Sequence, residues 1–333
     1  MHSTYNWGIM GAGIIARKMA DALRSNQRST LLRVGSKSPE RAESFARELE
    51  VPRHGSYEDL LQDPEIDVVY VATTHNFHYE NAAAALNHGK HVLIEKPFTV
   101  NAAQADRLIA LAAEKNLFLM EAIWTRFLPS WRKMREVLRQ GLIGPVKYID
   151  ISYGKFAPPQ YQLRLNDPAL AGGVTLDMGV YPLSYCCYVL GEIPRSSDSM
   201  CSFNPDGVDD FACYRMAFPS GAMAQIATGF KLWMDSRATI YGTKGAVTFP
   251  GFSGGDRFSL HSHNGGNEIL ATEEFILEQE ENGFVYEVEE VVTCLDQEKK
   301  ESSLIPLQET RDIMALMDSI RYSWDLRYEG ENG

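Results

Sequence analysis

The pattern of apolar and polar positions changes character near residue 120 of the chain. Before that point, short apolar runs alternate with amphipathic stretches. Residues 5–10, 31–35, 67–73, 91–95 and 117–122 read as strands. Val68-Val69-Tyr70-Val71-Ala72 and Val92-Leu93-Ile94 are apolar without alternation, as expected of strands covered on both faces of a parallel sheet. Between the last two strands, Ala105, Leu108, Ile109 and Ala112 follow the spacing of one helix face, with Asn101 where a cap belongs. This alternation predicts a doubly wound α/β domain with right-handed crossovers.

After Trp124 the rhythm differs. A helix carrying Trp131, Met134 and Leu138 ends at Gly141, and residues 146–154 read as a strand. Residues 179–190 form a helical stretch that is apolar nearly all round, which predicts burial. From about residue 196, strands are separated by turn signals such as Phe218-Pro219-Ser220-Gly221 and Tyr241-Gly242-Thr243-Lys244-Gly245. Helices over 284–295 and 308–324 follow, the second with Ile313, Leu316, Met317 and Ile320 on one face. The second part therefore reads as α+β around an antiparallel sheet. In the run Phe230, Leu232, Met234 the same-face positions are apolar, which an uncovered sheet face does not tolerate alone. Residues 278–281 and the tail after Tyr328 read as solvated.

A length of 333 residues fits two domains of roughly 150 residues each. Lys plus Arg is 32 against Asp plus Glu at 44, a formal net charge of −12. That balance argues against a nucleic-acid backbone or an anionic membrane as partner, so any bound anion needs a local device. The cysteines, Cys186, Cys187, Cys201, Cys213 and Cys294, are odd in number and contain no C-x-x-C pair. They fit neither a disulfide framework nor a zinc site and suggest a reducing compartment. Met1-His2-Ser3-Thr4-Tyr5 lacks the signature of a signal peptide, and no apolar run is long enough to span a bilayer. A cytoplasmic protein is expected. His261 and His263 show no metal-ligand spacing, and no metal is expected.

Gly11-Ala12-Gly13-Ile14-Ile15-Ala16 supplies the local device: it follows a strand and opens a helix, as in a dinucleotide-binding turn. Gly11 permits the tight turn, Gly13 lets the backbone approach a pyrophosphate, and Ala16 allows close helix–sheet packing. Ile14 and Ile15 start the helix whose N–H groups and dipole face the phosphates. NAD enzymes place Asp or Glu at the end of the second strand to hold the ribose 2′-OH. Here that segment is Gly35-Ser36-Lys37-Ser38-Pro39-Glu40-Arg41, with no acid at the strand end. Ser36, Lys37 and Arg41 suit a 2′-phosphate, and Ser38-Pro39 caps a helix aimed at the same spot. NADP is expected over NAD; the competing reading makes Lys37 and Arg41 solvated surface charges.

His91-Val92-Leu93-Ile94-Glu95-Lys96-Pro97, following such a turn, resembles the Gfo/Idh/MocA oxidoreductases, the group of glucose–fructose oxidoreductase and inositol dehydrogenase. The resemblance runs nearly the whole chain. Glu121-Ala122-Ile123-Trp124-Thr125-Arg126-Phe127, Gly207-Val208-Asp209-Asp210, Gly242-Thr243-Lys244-Gly245 and Glu301-Ser302-Ser303-Leu304-Ile305-Pro306-Leu307 are similar to the dimeric dihydrodiol dehydrogenase branch, which includes NADP-dependent D-xylose dehydrogenases. The resemblance implies a Rossmann domain over 1–123. It implies a substrate-binding and dimerisation domain over 124–333, α+β with a large, mostly antiparallel open sheet through which a homodimer forms. It also implies a small-molecule sugar or diol substrate and a catalytic Lys96 beside Glu95.

Lys96 ends a parallel strand, where open α/β sheets place their ligand crevice. Gly172-Gly173-Val174-Thr175-Leu176-Asp177-Met178-Gly179-Val180-Tyr181 is similar to the second family motif, with tyrosine where many relatives carry histidine. Asp177 and Tyr181 are four apart and share a helix face. A phenol of pKa about 10 is a poor base near neutrality, and a neighbouring ammonium favours the phenolate. Tyr181 is read as general acid/base, Lys96 as its electrostatic partner or itself the proton acceptor, and Asp177 as orienting substrate. Thr73, Thr74, His75 and His78 follow a strand and are implied to line the nicotinamide ribose side; His78 reads equally as a capping or packing residue. Trp124 and Arg126 are implied to reach over the cofactor, against hinge packing for Trp124 and an ordinary ion pair for Arg126. Lys155, Tyr161 and Arg164, placed in a loop, are weaker substrate candidates.

The reaction expected is NADP-dependent oxidation at a carbinol carbon of a D-xylose-like sugar or cyclic trans-diol. Two alternatives stand beside it. One is a reductase of an anhydroketose or dicarbonyl sugar. The other is a non-catalytic NADP-sensing regulatory protein on the same fold, which would need neither Lys96 nor Tyr181.

Overall fold

A computed structural model describes residues 4–263 and 268–331, so the start of the chain read for a signal peptide lies partly outside the described residues. Two compact units make up the chain: Met1–Phe127 with Glu280–Met314, and Leu128–Gln279 with Ala315–Gly333.

In the first unit, β1 (Tyr5–Met10) leads into α1 (Ile14–Ser25). Then follow β2 (Ser29–Gly35), α2 (Pro39–Glu48), β3 (Arg53–Gly55), α3 (Tyr57–Leu61) and β4 (Val68–Val71). A 3-10 turn, His75–Phe77, precedes α4 (His78–Asn87), β5 (His91–Glu95), α5 (Ala102–Lys115) and β6 (Leu119–Ala122). The six strands are parallel in the order β3-β2-β1-β4-β5-β6. The direction of winding reverses between β1 and β4, which opens a crevice at their carboxyl ends. All four residues of β4 are buried, which explains its unbroken apolar run. Ser38 caps α2 by accepting the Arg41 N–H, and Asn101 caps α5 by accepting that of Gln104. β3 and α3 escaped the sequence reading. The α3 signal was present as Ser56-x-x-Asp59, a reciprocal capping box in the structure.

In the second unit, a 3-10 turn (Trp124–Phe127) having closed the first, α6 (Pro129–Arg139) is followed by β7 (Val146–Gly154) and α7 (Pro159–Asn166). A π-helical turn, Thr175–Gly179, runs into α8 (Val180–Leu190). Then come β8 (Ser196–Phe203), β9 (Asp209–Ala217), β10 (Met223–Gly229), β11 (Arg237–Gly242), β12 (Gly245–Pro250), β13 (Arg257–His263) and β14 (Ile269–Ile276). The sheet order is β14-β13-β12-β11-β7-β10-β9-β8, antiparallel except where β10 lies parallel to β7. Helix α8 is buried nearly all round, as its composition predicts. Its Tyr185 meets the ring of Trp131 edge-on at 4.7 Å, and the Trp131 indole N–H donates to the Phe252 carbonyl at 3.1 Å.

Two expectations need correction here. The run from Phe230 to Met234 is not sheet, because β10 ends at Gly229. Leu232 and Met234 instead fold back over two glycines: a Cβ on Gly229 would meet Leu232 at 2.7 Å, and one on Gly154 would meet Met234 at 2.6 Å. The tail after Tyr328 is not wholly solvated either. Glu331 pairs with the fully buried Arg321 at 2.9 Å and accepts the Tyr328 N–H at 2.8 Å.

The chain closes with α9 (Phe284–Asp296) and α10 (Leu307–Ser323). Residues 280–314, assigned with the second domain from sequence, group with the first unit because the buried stripe of α9 packs on α1 and on the 3-10 turn at Trp124. Among the described residues no helix is long and apolar enough to cross a membrane.

Candidate active site

The site is built first from backbone. Gly11 has φ +114, and a Cβ there would sit 2.6 Å from the Ala72 carbonyl of the neighbouring strand end. Only glycine makes that turn without strain. A Cβ on Gly13 would meet nothing within 4 Å, so this side of the turn is open. Gly13 caps α1 with no side-chain hydrogen bond, leaving first-turn N–H groups facing outward, and Ile14 is exposed beside them. This is a cradle for an anion.

At the end of β2, Ser36 is buried and its hydroxyl accepts the Ser38 N–H at 3.2 Å. The Arg41 guanidinium reaches the Ala12 carbonyl at 3.5 Å, joining this strand end to the glycine turn. The Lys37 ammonium lies 3.6 Å from the ring centroid of Phe77, on the turn after β4.

The ends of β4 and β5 are tied to each other. The Asn81 amide donates to the Thr73 hydroxyl at 3.1 Å, and the Thr74 hydroxyl donates to Asn76 at 2.7 Å. His75 is buried edge-on against His78. His78, also buried, sets Nδ1 2.8 Å from the Pro97 carbonyl and Nε2 3.2 Å from the Thr73 carbonyl. Its place is therefore a cross-tie between two strand-end turns. Glu95 is buried, bonded by the Tyr70 hydroxyl and, at 3.1 Å, by the Lys96 N–H. Lys96 is half-buried, and the Lys96-Pro97 bond is cis. One residue on, the Phe98 N–H donates to Glu121 at 3.0 Å, whose other oxygen accepts the Thr310 hydroxyl at 3.1 Å. Burial pushes the Glu121 carboxyl up to about 7.

Sequence reasoning quoted Glu121 only as part of a motif and passed over Glu287. Glu287 is fully buried on α9, and neither carboxyl oxygen has a hydrogen-bond partner. An acid at i+3 from Phe284 within the apolar stripe was the visible signal.

Trp124 is half-buried, its ring 5.8 Å from that of Phe284. Arg126 is fully buried, with its guanidinium on Glu309 and, at 3.5 Å, the Leu304 carbonyl. That burial presents no surface of Arg126 to a cofactor, and of the two readings offered for it the ion pair is the one the geometry shows.

In the other unit, the motif from Gly172 to Tyr181 is held by side chains far away in sequence. The fully buried Asp209 accepts the Thr175 N–H at 2.8 Å and the Thr175 hydroxyl, which also meets the Tyr214 hydroxyl at 2.9 Å. Burial raises the Asp209 carboxyl. Gly173, at φ +110, must be glycine, since a Cβ would lie 2.2 Å from Asp209 Oδ1. The Tyr328 hydroxyl donates to the Gly172 carbonyl. Asp177, on the π-helical turn, pairs with Arg164 at 2.9 Å. The Tyr181 ring lies edge-on to Tyr153 at 6.2 Å, and the Lys155 ammonium is 5.2 Å from the Tyr153 ring centroid. Tyr161 and Arg164 lie on α7 rather than in a loop: Pro159 opens that helix, and Gly172 packs against its last carbonyls.

A parallel six-stranded sheet with an open glycine turn, joined in one chain to a large antiparallel sheet, defines a two-unit dinucleotide-dependent oxidoreductase. Residues 5–123 match the model of the Gfo/Idh/MocA oxidoreductase family, NAD-binding Rossmann fold, and residues 131–248 match the Gfo/Idh/MocA C-terminal domain. The chain belongs to this family. It is 32% identical over 328 residues to trans-1,2-dihydrobenzene-1,2-diol dehydrogenase of Bos taurus, covering 95% of each chain. The solved structure of a 3-ketoreductase from Actinomadura kijaniata, with NADP and TDP-benzene, is 24% identical with a TM-score of 0.85, covering 96% of this chain and 98% of that one. A levoglucosan dehydrogenase with NADH and levoglucosan is 18% identical with a TM-score of 0.87, covering 96% and 97%. At these identities the two structures speak for the shared fold.

Proposed function

We propose that this oxidoreductase is an NADP-dependent dehydrogenase acting on a carbinol carbon of a sugar or a cyclic trans-diol. The observation that carries this reading is the carboxyl edge of the six-stranded sheet. There the open Gly13 turn, the Ser36, Lys37 and Arg41 set, and Lys96 stand at the ends of β1, β2 and β5 of one sheet. Gly11, Gly13, Ile14 and Ile15 would hold the pyrophosphate, and Ser36, Lys37 and Arg41 the 2′-phosphate. Thr73, Thr74, His75, His78 and Glu95 would shape the ribose side.

Bound nicotinamide supplies the hydride chemistry at its C4 position. Lys96 brings an ammonium to the substrate hydroxyl and stabilises negative charge as the proton leaves. Tyr181 takes or returns that proton, and Asp177, paired with Arg164, orients the sugar or diol. The substrate class rests on the diol dehydrogenase relative together with this donor set. A D-xylose-like aldose and a cyclic trans-diol are the substrates to try first.

An aldose, polyol and diol panel followed by NADPH absorbance, with NAD alongside, tests the substrate and the cofactor. Lys96→Met should keep cofactor binding and lose turnover by about 10³-fold; unchanged turnover would remove Lys96 from the chemistry, and a parent protein that binds the cofactor but turns over nothing in the panel would leave the regulatory reading in place. Lys37→Asp should weaken NADP selectively. Equal loss for both cofactors would sink the 2′-phosphate assignment.

The protein also pairs, in this reading, through the sheet of the second unit. One face there carries Met223, Tyr148 and Tyr241 in register across β10, β7 and β11, with the two tyrosine rings 5.9 Å apart and Met223 and Tyr241 exposed. Tyr241→Glu should convert a dimer to monomer in sedimentation velocity; a monomeric parent protein would refute the pairing.

A further inference from the structure

Three strand ends are laced together at the carboxyl edge of the parallel sheet. The Gly11 N–H donates to the Gly35 carbonyl at the end of β2, and the Ala72 N–H, just past β4, donates to the Met10 carbonyl, both at 2.9 Å. The sheet order puts β1 between β2 and β4. Lys37 follows the first of these outer ends and Phe77 the second. Their contact, with the ammonium 3.6 Å from the ring centroid, therefore spans the end of β1 beside the glycine turn.

Both partners stand on a fixed backbone. Ser36 is buried, its hydroxyl accepts the Ser38 N–H, and Ser38 caps α2. Phe77 closes the 3-10 turn with its N–H on the Thr74 carbonyl at 2.9 Å, and α4 starts at the next residue. What remains to be set at Lys37 is an exposed, flexible four-carbon stem. Left to water, such a chain ranges over many rotamers, and ordering it on binding costs affinity.

The kind of partner that orders it matters. Among the described residues no carboxylate pairs with Lys37 or Arg41, and the neighbouring Glu40 accepts the Ser38 hydroxyl at 2.7 Å. A carboxylate would hold the ammonium too, but it would offset the charge and repel an incoming phosphate. An aromatic face attracts the cation through its quadrupole and presents no lone pair to its three N–H donors. The ring thus holds Lys37 in place and leaves its charge available to an anion.

We propose that Phe77 is a specificity-determining residue of the cofactor site: it presets the Lys37 ammonium for the ribose 2′-phosphate and so favours NADP over NAD. This rests on the 2′-phosphate reading above. It goes beyond that reading by assigning part of the selectivity to an uncharged residue on the turn after β4.

The test is isothermal titration of the full chain with NADP⁺, NAD⁺ and the fragment adenosine 2′,5′-bisphosphate. The proteins are the parent, Phe77→Leu, Lys37→Met and the double variant. Phe77→Leu should weaken NADP⁺ and the bisphosphate by about fivefold and move NAD⁺ by less than about twofold. In the Lys37→Met background the same change should have no effect, since the ring then has no cation to hold. Phe77→Tyr, which keeps the ring face, should match the parent, and Phe77→Met serves if leucine fails to fold. Equal weakening of NADP⁺ and NAD⁺ by Phe77→Leu would give the ring to the base or to the fold and overturn the inference. So would a loss that persists without Lys37, or a tyrosine variant as weak as the leucine one. A parent protein that binds neither dinucleotide overturns the cofactor reading, and unchanged NADP⁺ affinity in Lys37→Met overturns the 2′-phosphate assignment; this inference falls with either. A selective loss in Lys37→Met beside unchanged selectivity in Phe77→Leu overturns this inference alone.

Discussion

The carboxyl edge of the parallel sheet and the 172–181 segment of the other unit both present a short run of chemistry-bearing residues, and they are supported in opposite ways. At the sheet edge, the glycine turn and the caps at Ser38 and Asn101 are set by main chain and near neighbours. In the 172–181 segment, Thr175 is held by Asp209, 34 residues on, and Gly172 by Tyr328, 156 residues on. The lesson is that a glycine turn can be written locally, whereas a helix start in a sheet-based unit needs distant buried side chains. Damage to the first should appear in binding, and damage to the second in stability.

The hardest blow to that contrast is Gly173→Ala. It combines positive φ with a Cβ 2.2 Å from Asp209, and should cost about 4 kcal/mol, a fall in Tm of about 10 °C by calorimetry. A loss under about 1 kcal/mol would show that the segment is not anchored as described.

Glu121 tests the edge where it does depend on a side chain. Burial holds its carboxyl at about 7 in the fold against an ordinary value of 4.5, so the folded state binds the extra proton. The associated stability is complete below about pH 4.5 and is lost as pH rises through 7, a difference on the order of 3 kcal/mol. Glu121→Gln should remove that dependence, so its Tm relative to the parent should be higher at pH 8 than at pH 5. A constant offset across the range would refute the assignment.

Gly13→Ala is the complementary case. Nothing stands within 4 Å of the added Cβ, so stability should change by at most about 1 kcal/mol. Cofactor affinity, by fluorescence titration, should fall about tenfold, or about 1.4 kcal/mol. Intact affinity would mean that no phosphate passes over this turn. The smallest effect is expected from Tyr328→Phe, which leaves the Gly172 carbonyl without its donor at a cost of about 1 kcal/mol, read from urea unfolding.

The same contrast explains what could be read from sequence. The parallel strands, the cap at Asn101, the Ser38-Pro39 helix start and the glycine turn are each specified within a few residues, and all were legible. β3 was not, since three residues carry no period of their own. The run from Phe230 to Met234 misled because alternation from two side chains folding over glycines looks the same as alternation in a strand. Glu331 looked like a solvated tail residue because its partner, Arg321, belongs to a helix whose burial no local pattern announces. Arg126 had two readings for the same reason: its partner Glu309 is 183 residues away. Pairs of this kind arise from folding and have no signature in spacing.

The grouping of Glu280–Met314 with the first unit has a consequence for biosynthesis. A ribosome makes the six parallel strands early but cannot supply their last helix until the eight-stranded unit has largely emerged. The nascent nucleotide-binding half must wait with α1 uncovered, while the inserted half can begin to collapse around α8. A fragment cut after residue 127 should therefore be prone to self-association, and the emergence of residues 280–314, rather than completion of the six strands, is the event that seals it.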